Sequence, residues 1–317
     1  MKTAVCTLYE KHYHYGVAAL INSLDANNFK GTCYIGYRGE LPFWGSESVQ
    51  IEENQEIEDW LSIKKMEVSN DIQLIFIQLE TSIHLANYKP FFMLDLFEEF
   101  QNIKELFYFD PDIVVCEKWE MFTSWAEYGV AMVHEIVFND MPRTHPVRKK
   151  WINIISDLGY SVKNDLNSYL NSGFCGVHRE NIIFLFLWKE IILYAFSSYK
   201  MPIDHFADNR NRFHPFCSLD QDAFCIAAMA TDCPISEYGP EGMDFIFGGN
   251  VMSHAVGPKK PWKKKFIQST IKGRPPTIPE KKYWIYADGI IKIYRRSYIK
   301  RKKIAIKLSS LIGRFYS

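Results

Sequence analysis

The chain has 317 residues, of which 47% are apolar and 15% are aromatic. This length predicts one large domain, or one domain with a small appendage, and the composition excludes intrinsic disorder over most of the chain. No apolar stretch approaches the roughly 18 residues of a membrane-spanning helix, and the N-terminal apolar run is too short for a signal peptide. We therefore expect a cytoplasmic protein. The seven cysteines include no Cys-x-x-Cys pair, which argues against a disulfide framework and a zinc ribbon.

The neutral overall charge conceals a strong asymmetry along the sequence. Residues 259–317 hold 18 Lys or Arg against two acids, Glu280 and Asp288, and therefore carry a net charge of +16. Because the whole chain is neutral, residues 1–258 carry −16. A basic tail on an acidic body predicts contact with a membrane surface or a nucleic acid.

The apolar pattern predicts strands and helices that alternate along the chain. Strands are predicted at residues 4–8, 33–37, 72–79, 106–109 and 113–115, and helices at residues 17–24 and 91–100. Pro90 is expected in the first turn of the second helix, and residues 42–70 are predicted to be irregular or weakly helical. The alternation predicts an α/β fold with a mostly parallel central sheet. The Gly- and Pro-rich residues 273–279 mark the expected end of the compact part.

Asp110 and Asp112 directly follow a predicted buried strand, with Pro111 between them. Because proline interrupts strand pairing, the carboxylates are expected at the carboxyl edge of the sheet, where open α/β sheets bind ligands. Two adjacent carboxylates repel each other unless a cation lies between them, and oxygen ligands favour Mg²⁺ or Mn²⁺. The pair therefore indicates a metal site, with a polar turn between two strands as the simpler alternative.

A second polar cluster lies in residues 251–262. His254 is expected at a strand end, where a neutral imidazole nitrogen can be a third metal ligand. Gly257 lets the backbone approach a ligand closely, and Lys260 offers a point charge for a diphosphate. Each residue alone also fits a surface turn with solvated lysines, but the unit His-x-x-Gly-x-x-Lys-Pro-Trp is harder to explain in that way.

Four motifs occur in series: Asp110-Pro111-Asp112, Asn171-Ser172-Gly173, Asp220-Gln221-Asp222 and His254-x-x-Gly257-x-x-Lys260-Pro261-Trp262. Together they resemble the retaining family 8 glycosyltransferases, the glycogenin and bacterial lipopolysaccharide galactosyltransferase type, over roughly residues 1–265. The last motif is fairly specific, and the others are strong only in series. The resemblance implies a GT-A fold, a single Rossmann-like domain with a nucleotide-sugar site.

The resemblance also assigns the metal and the diphosphate to particular residues. It implies that Asp110, Asp112 and His254 hold Mn²⁺ (or Mg²⁺), which bridges the donor diphosphate. It implies that Lys260 and the backbone of Gly257 contact the same diphosphate.

The donor sugar is assigned by the same resemblance. Asn171 is implied to hold the sugar or to shape the reaction pocket, and Asp220 and Gln221 are implied to face the anomeric carbon. Asp220 also has a structural explanation, because Ser218 and Gln221 have the spacing of a capping box at a helix start.

The nucleoside is implied to lie at the end of the first strand, in contact with Thr7 and Tyr9, with Tyr9 or Tyr15 stacked on the uracil. Lys89, in Tyr88-Lys89-Pro90, stands where the family often has the basic residue of a Tyr-x-Arg sequence. It is implied to contact the donor, and a solvated lysine at a helix start is the alternative.

Two further pairs of residues are less informative. His134 and Glu135 end a predicted strand, and either could contact acceptor or donor at that edge of the sheet. His12 and His14 are expected to face solvent.

Residues 292–317 hold nine Lys or Arg and no acid. Their apolar residues fall on one face of a helix: Ile304, Leu308, Leu311, Ile312 and Phe315. This pattern suits an anionic membrane surface, although a helix packed on the domain is the alternative. No stacking aromatic pattern accompanies the cations, so no nucleic acid is expected. We expect a catalytic domain at 1–272 and a linker with a basic amphipathic tail at 273–317, which associates with the inner face of the cell membrane.

The sequence thus predicts a retaining hexosyltransferase. The expected donor is UDP-glucose or UDP-galactose, and the expected acceptor is a glycan or glycolipid in lipopolysaccharide or capsular polysaccharide synthesis. A nucleotidyltransferase is a weaker alternative, since no Gly-rich phosphate loop follows the first strand. A non-catalytic, membrane-associated nucleotide-sugar-binding module is the other alternative.

Overall fold

The structure is a computed structural model, and it describes residues 2–51, 57–136, 141–206 and 211–315. The strands are β1 (Lys2–Glu10), β2 (Gly31–Arg38), β3 (Val49–Gln50), β4 (Trp60–Glu67), β5 (Ile72–Leu79), β6 (Ile103–Phe109), β7 (Ile113–Val115), β8 (Val130–His134), β9 (Leu170–His178), β10 (Ile235–Tyr238) and β11 (Met252–His254). The helices are α1 (His14–Ala26), α2 (Leu85–Glu99), α3 (Trp119–Ala126), α4 (Pro146–Asp157), α5 (Ile183–Tyr199), α6 (Leu219–Ala230), α7 (Phe266–Ile271), α8 (Ile278–Tyr286) and α9 (Arg296–Gly313).

The described strands form a nine-stranded sheet in the order β10-β8-β9-β6-β1-β2-β5-β4-β3 and a short ribbon of β7 and β11. The pairings β1–β2, β1–β6, β2–β5 and β8–β10 are parallel. Only β4 and β9 run against the other strands of this sheet. The prediction of an α/β fold with a mostly parallel sheet is therefore confirmed.

Helices cover both faces of the sheet, because the central strands carry apolar residues on both faces. The central strands β1, β2 and β6 are apolar on both faces and are buried on both, which is typical of parallel strands between two helical layers. One apolar cluster packs α2, α5 and α6 against one face, and another packs α1 and α3 against the other. The sheet is thus buried between two helical layers.

The prediction for residues 42–70 was wrong, because the described part of this region contains β3 and β4. Strand β4 pairs with β5, and β3 pairs with β4, both antiparallel. Several side chains of β4 are only half-buried, among them Lys64 and Lys65. Charged residues on a strand near a sheet edge are common, and they hide the apolar alternation on which sequence prediction depends. Residues 52–56 lie outside the described residues.

Helix α2 begins earlier than predicted, so Pro90 is not in its first turn. The helix starts at Leu85, where the Nδ1 atom of His84 accepts a hydrogen bond of 3.2 Å from the backbone N–H of Ala86. Pro90 lies inside the helix and lacks the N–H that would bind the Ala86 carbonyl. The capping histidine, rather than the proline, sets the start of this helix.

The segment after residue 272 packs against the sheet domain. Tyr283 and Trp284 of α8 are buried together with Trp262, Ala19 and Val114. The amide of Asn22 in α1 donates to the carbonyls of Tyr286 and Ile291, at 3.0 Å each. The division into 1–272 and 273–317 stays a prediction, but α8 is built into the body of the molecule.

Within the described residues, one helical stretch, Arg179–Tyr199, is long and apolar enough to cross a membrane, with a mean hydropathy of 1.5. It includes α5, which packs against α2 and α6. Leu185, Trp188 and Ile192 on this helix are fully buried. One face of this helix therefore lies in the core, whereas Ile183, Phe186 and Phe196 on the same helix are exposed.

Candidate functional site

Two features of the sheet bring the motifs to one place. Strand β9 is antiparallel to β6, so its first residues lie beside the last residues of β6. The backbone N–H of Asp110 donates to the carbonyl of Gly173 at 2.7 Å. The ribbon of β7 and β11 then pairs His254 with Ile113, immediately after Asp112. The first, second and last motifs thus meet at the carboxyl edge of β6.

Asp110, Asp112 and His254 form a cluster that could hold a metal ion. One potential ligand atom of each residue lies within 4.8 Å of the other two. The Nε2 atom of His254 is 3.3 Å from Oδ1 of Asp112 and 3.8 Å from Oδ2 of Asp110. Asp112 and His254 are buried, whereas Asp110 is partly exposed. Two carboxylates and one imidazole suit Mn²⁺ or Mg²⁺.

The backbone around this cluster leaves room only for glycine at two positions. A Cβ atom on Gly173 would lie 2.7 Å from Cε1 of His254 and 2.9 Å from Oδ2 of Asp110. A Cβ atom on Gly16 of α1 would lie 1.8 Å from the carbonyl oxygen of Pro111. The ligand cluster is therefore held between β9 and α1 at distances that any larger residue would disrupt.

Lys260 is bound to the same cluster. Its Nζ atom lies 2.6 Å from Oδ2 of Asp112 and donates to the carbonyl of Ala255 at 3.2 Å. Burial acts to raise the pKa of Asp112, but His254 and Lys260 outweigh it and hold that pKa well below its usual value. Asp112 is thus a carboxylate at neutral pH, as a metal ligand must be.

Lys89 is buried in the middle of the site. Its Nζ atom lies 3.2 Å from Oδ1 of Asp110 and 3.2 Å from Oδ2 of Asp220, and it donates to the carbonyl of Ser172 at 3.0 Å. Burial acts to lower the pKa of Lys89, but the two carboxylates raise it above the ordinary value. The alternative of a solvated lysine is excluded by this burial.

Asn171 connects the second and third motifs. Its Nδ2 atom donates to Oε2 of Glu135 at 2.6 Å and to Oε1 of Gln221 at 3.3 Å, and its Oδ1 atom accepts from the N–H of Gly173 at 2.9 Å. His134, the neighbour of Glu135, instead contacts Glu237 at 2.7 Å. Of this strand-end pair, Glu135 is the residue bound to the site.

Asp220 lies at the start of α6 and is held by hydrogen bonds. Its Oδ2 atom accepts from the hydroxyl of Ser172 at 2.7 Å. The predicted capping box is absent, because the side chain of Ser218 makes no capping bond. Instead, the backbone N–H of Ser218 donates to Oδ2 of Asp222 at 2.7 Å. Asp222 therefore stabilises the helix start, which leaves Asp220 directed at Lys89.

The residues implied for the nucleoside are less exposed than a stacking role requires. Tyr9 is 2% exposed and stacks on Tyr37 with 5.8 Å between ring centroids. Tyr15 is half-buried between His14 and Tyr294. The hydroxyls of Thr7 and Tyr9 are buried and have no hydrogen-bond partner in the described part of the chain.

Three residues at the site were not found by sequence reasoning. Tyr108 donates its hydroxyl to Oδ1 of Asp110 at 2.9 Å, and Ser172 donates to Asp220. The ring of Tyr13 faces Lys260, with 5.7 Å from Nζ to the centroid. Ser172 lies inside a recognised motif, but no sequence signal marks Tyr13 or Tyr108. His12, expected in solvent, accepts at Nδ1 from the indole of Trp262 at 3.0 Å.

The fold corresponds to the GT-A class of structures. The galactosyltransferase LgtC, solved in complex with donor and acceptor sugar analogues, has a TM-score of 0.52 and 12% identity over 95% of this chain and 100% of its own. The glycosyltransferase GlyE of Streptococcus pneumoniae TIGR4 has a TM-score of 0.53 and 11% identity over 97% of this chain. The predicted GT-A fold is thereby confirmed.

Other comparisons limit what this similarity establishes. The chain covers 64% of GlyE and 52% of the bifunctional glycosyltransferase WbbM, which has a TM-score of 0.52 and 12% identity. No protein-family profile and no curated protein sequence matches the chain. At such low identity the similarity is one of fold.

Proposed function

We propose that this protein is a metal-dependent retaining glycosyltransferase. It transfers a hexose from UDP-glucose or UDP-galactose to a glycan or lipid-linked saccharide acceptor in cell-surface polysaccharide synthesis. The observation that carries the proposal is the cluster of Asp110, Asp112 and His254, with Lys260 bound to it, at the carboxyl edge of a fold shared with LgtC.

The donor set fits a divalent cation, because one potential ligand atom each of Asp110, Asp112 and His254 lies within 4.8 Å of the other two. When bound, Mn²⁺ or Mg²⁺ supplies a Lewis acid that neutralises the charge of the leaving diphosphate. Lys260 adds a positive charge at the same place. The positive φ of Gly257, +102°, and the open space around it allow its backbone to approach the diphosphate.

The remaining residues act on the sugar. Asn171 is fixed by Glu135 and Gly173 and donates to Gln221, so that it shapes the reaction pocket. Asp220 and Gln221 supply oxygen atoms that stabilise positive charge at the anomeric carbon. Retention proceeds either through a covalent glycosyl-enzyme or through same-face displacement, and both routes use these residues.

The test is a thermal-shift titration with UDP, with and without Mn²⁺, followed by a panel of UDP-sugars. A ligand at about 100 times its dissociation constant stabilises the folded state by roughly 2.7 kcal/mol. We expect a shift with UDP that requires Mn²⁺ and that Asp112→Asn removes. A UDP shift without sugar transfer or donor hydrolysis would favour the non-catalytic binding module. No shift with any nucleotide would overturn the proposal.

We also propose that α9 lies on an anionic membrane surface at the inner face of the cell membrane. Ile304, Leu308, Leu311 and Phe315 are all exposed and follow helical spacing. The exposed cations Lys300, Lys303 and Lys307 lie on the same helix. Apolar side chains next to cations are the pattern of interfacial helices, and each cation near an anionic surface contributes about 1 kcal/mol.

Point substitutions test this surface better than truncation, because Ile299 and Ile306 of α9 are buried in the body of the protein. We expect Leu308→Asp with Leu311→Asp to abolish sedimentation with phosphatidylglycerol vesicles and to leave UDP binding unchanged. Phe186→Asp, at an exposed position of α5, is the matched control. Unchanged vesicle binding in the α9 variant would exclude this surface.

A further inference from the structure

A second site of positive charge lies beside the metal cluster. It is a surface pocket of about 480 Å³. One wall is the loop after His254, and the opposite wall is formed by α7 and the segment that follows it. Its polar lining residues are Lys259, Lys264, Ser269, Lys272, Arg274 and Glu280.

The charge of this pocket is not compensated by the protein. Four cations line it, against the single carboxylate of Glu280. That carboxylate is already bound, at 2.7 Å, by Lys264. Lys259, Lys272 and Arg274 are exposed, and no ion pair joins them to a carboxylate among the described residues. The pocket therefore offers three free positive charges on a concave surface, which suits a ligand with more than one negative charge.

The pocket is distinct from the metal cluster, although the two are close and only one loop lies between them. Lys260 points to Asp112, whereas its neighbour Lys259 lines the pocket. His254 lines a different pocket, of about 290 Å³, on the other side of Val256. A group held by Lys272 and Arg274 would thus lie next to the donor site, and Gly257, whose backbone is proposed to contact the donor diphosphate, lies at the boundary between the two.

We propose that this pocket, defined by Lys259, Lys272 and Arg274, binds a phosphate group of the acceptor. The inference rests on the proposed function and specifies its acceptor class, a saccharide that carries a phosphate. A neutral saccharide gains nothing from three uncompensated cations, whereas a phosphate ester receives charge-assisted hydrogen bonds from them and from the hydroxyl of Ser269. The phosphate belongs either to a lipid phosphate that links the saccharide or to a phosphorylated sugar.

The test uses two matched pairs of probes in calorimetric titrations with the full chain, at saturating UDP and Mn²⁺. Octyl glucosyl phosphate is compared with octyl glucoside, and glucose 6-phosphate is compared with glucose. We expect the phosphate to tighten binding at least tenfold in one pair or both. Preference in the first pair alone indicates a lipid phosphate, and preference in the second alone indicates a phosphorylated sugar. Raising the salt from 50 to 500 mM should weaken the preference, because exposed charges are screened.

Substitutions in the pocket test whether its cations bind the phosphate. Lys272→Ala with Arg274→Ala should abolish the preference for phosphate, and Lys272→Glu alone should reduce it. The control, Lys104→Ala with Lys118→Ala, removes two exposed charges away from the pocket and should keep the preference. No preference in the parent protein, or a preference that the pocket variant retains, would overturn the inference.

Titration without UDP separates this inference from the proposed function. A preference that exists without UDP and disappears at saturating UDP and Mn²⁺ would assign the pocket to the donor and overturn the inference. Phosphate binding in a protein that fails to bind UDP would contradict the proposed function and leave an anion pocket of unrelated use.

Discussion

Lys89 and Asp220 form a buried ion pair, with 3.2 Å between Nζ and Oδ2. The same ammonium group lies 3.2 Å from Oδ1 of Asp110. A single buried cation therefore neutralises charge both at the candidate metal cluster and at Asp220. The electrostatics of the two halves of the site depend on one side chain of α2.

Replacing Lys89 by Met should destabilise the folded protein by about 3–5 kcal/mol, because removing one partner leaves buried carboxylates without compensation. Urea denaturation followed by circular dichroism measures this loss. Lys89→Arg keeps the positive charge and should therefore lower the free energy of unfolding by less than Lys89→Met does. A Lys89→Met protein with the stability of the parent would show that water or protonation satisfies Asp110 and Asp220.

Replacing Asp112 by Asn should lower sugar transfer by at least about a hundredfold, because the metal loses a charged ligand and the diphosphate loses its neutralising group. Electron paramagnetic resonance of Mn²⁺ should show weaker binding in the same variant, and binding to anionic vesicles should be unchanged. The control Asp71→Asn changes a surface carboxylate paired with Lys30. It should alter neither sugar transfer nor Mn²⁺ binding. Full transfer activity in Asp112→Asn would refute the metal assignment.

Gly173→Ala should impair metal binding with little change in the charge of the site. The added Cβ would lie 2.7 Å from Cε1 of His254, so His254 and Asp110 must move apart. We expect Mn²⁺ affinity to fall at least tenfold, measured by resonance titration, together with transfer activity. Parental Mn²⁺ affinity in this variant would show that the ligands are not held as close as the structure places them.

The stability of the fold should depend on pH through Asp95. Burial raises the pKa of Asp95 to about 6, although Tyr88 and Lys189 act to lower it. The hydroxyl of Tyr88 contacts both Asp95 and Asp59, at 3.2 and 2.9 Å, and its single proton serves only one of them. Because the folded-state pKa lies above the ordinary 3.8, the folded state binds the proton more tightly, and stability should fall as pH rises from about 4 to about 6.

Asp95→Asn should remove this dependence. The difference in unfolding free energy between parent and variant should change by about 2 kcal/mol between pH 4 and pH 7, because one pKa unit corresponds to about 1.4 kcal/mol. Urea midpoints across this range provide the measurement. Parallel pH profiles for parent and variant would show that Asp95 titrates normally.

The sequence identified the parts of the site that lie at strand ends. Asp110 and Asp112 were predictable because they follow a short apolar strand at the carboxyl edge of the sheet. His254 ends a short apolar run as well, but it reaches the same place through the antiparallel pairing of β11 with β7. Strand β4, next to the edge of the sheet, was missed because its charged, half-exposed residues conceal the alternation. Local patterns therefore locate central strands and the residues that follow them.

Contacts between distant segments could not be predicted in this way. Lys89 and Asp220 are 131 residues apart, and no local pattern indicates that α2 and α6 place them together. The expected capping partner Gln221 instead accepts a hydrogen bond from Asn171, and Asp222 binds the backbone N–H of Ser218 in its place. Which of several polar residues faces the site is decided by tertiary packing.

The hydrogen bonds of Asn22 bear on the order of folding during synthesis. The amide of this early helix is satisfied by carbonyls 264 and 269 residues later in the chain. Until that segment leaves the ribosome, the side-chain amide of Asn22 in α1 has no access to these carbonyls. Closing so long a loop is also slow. Docking of α8 should therefore be a late event, so that a nascent chain released too early exposes the apolar face of α1 to chaperones and proteases.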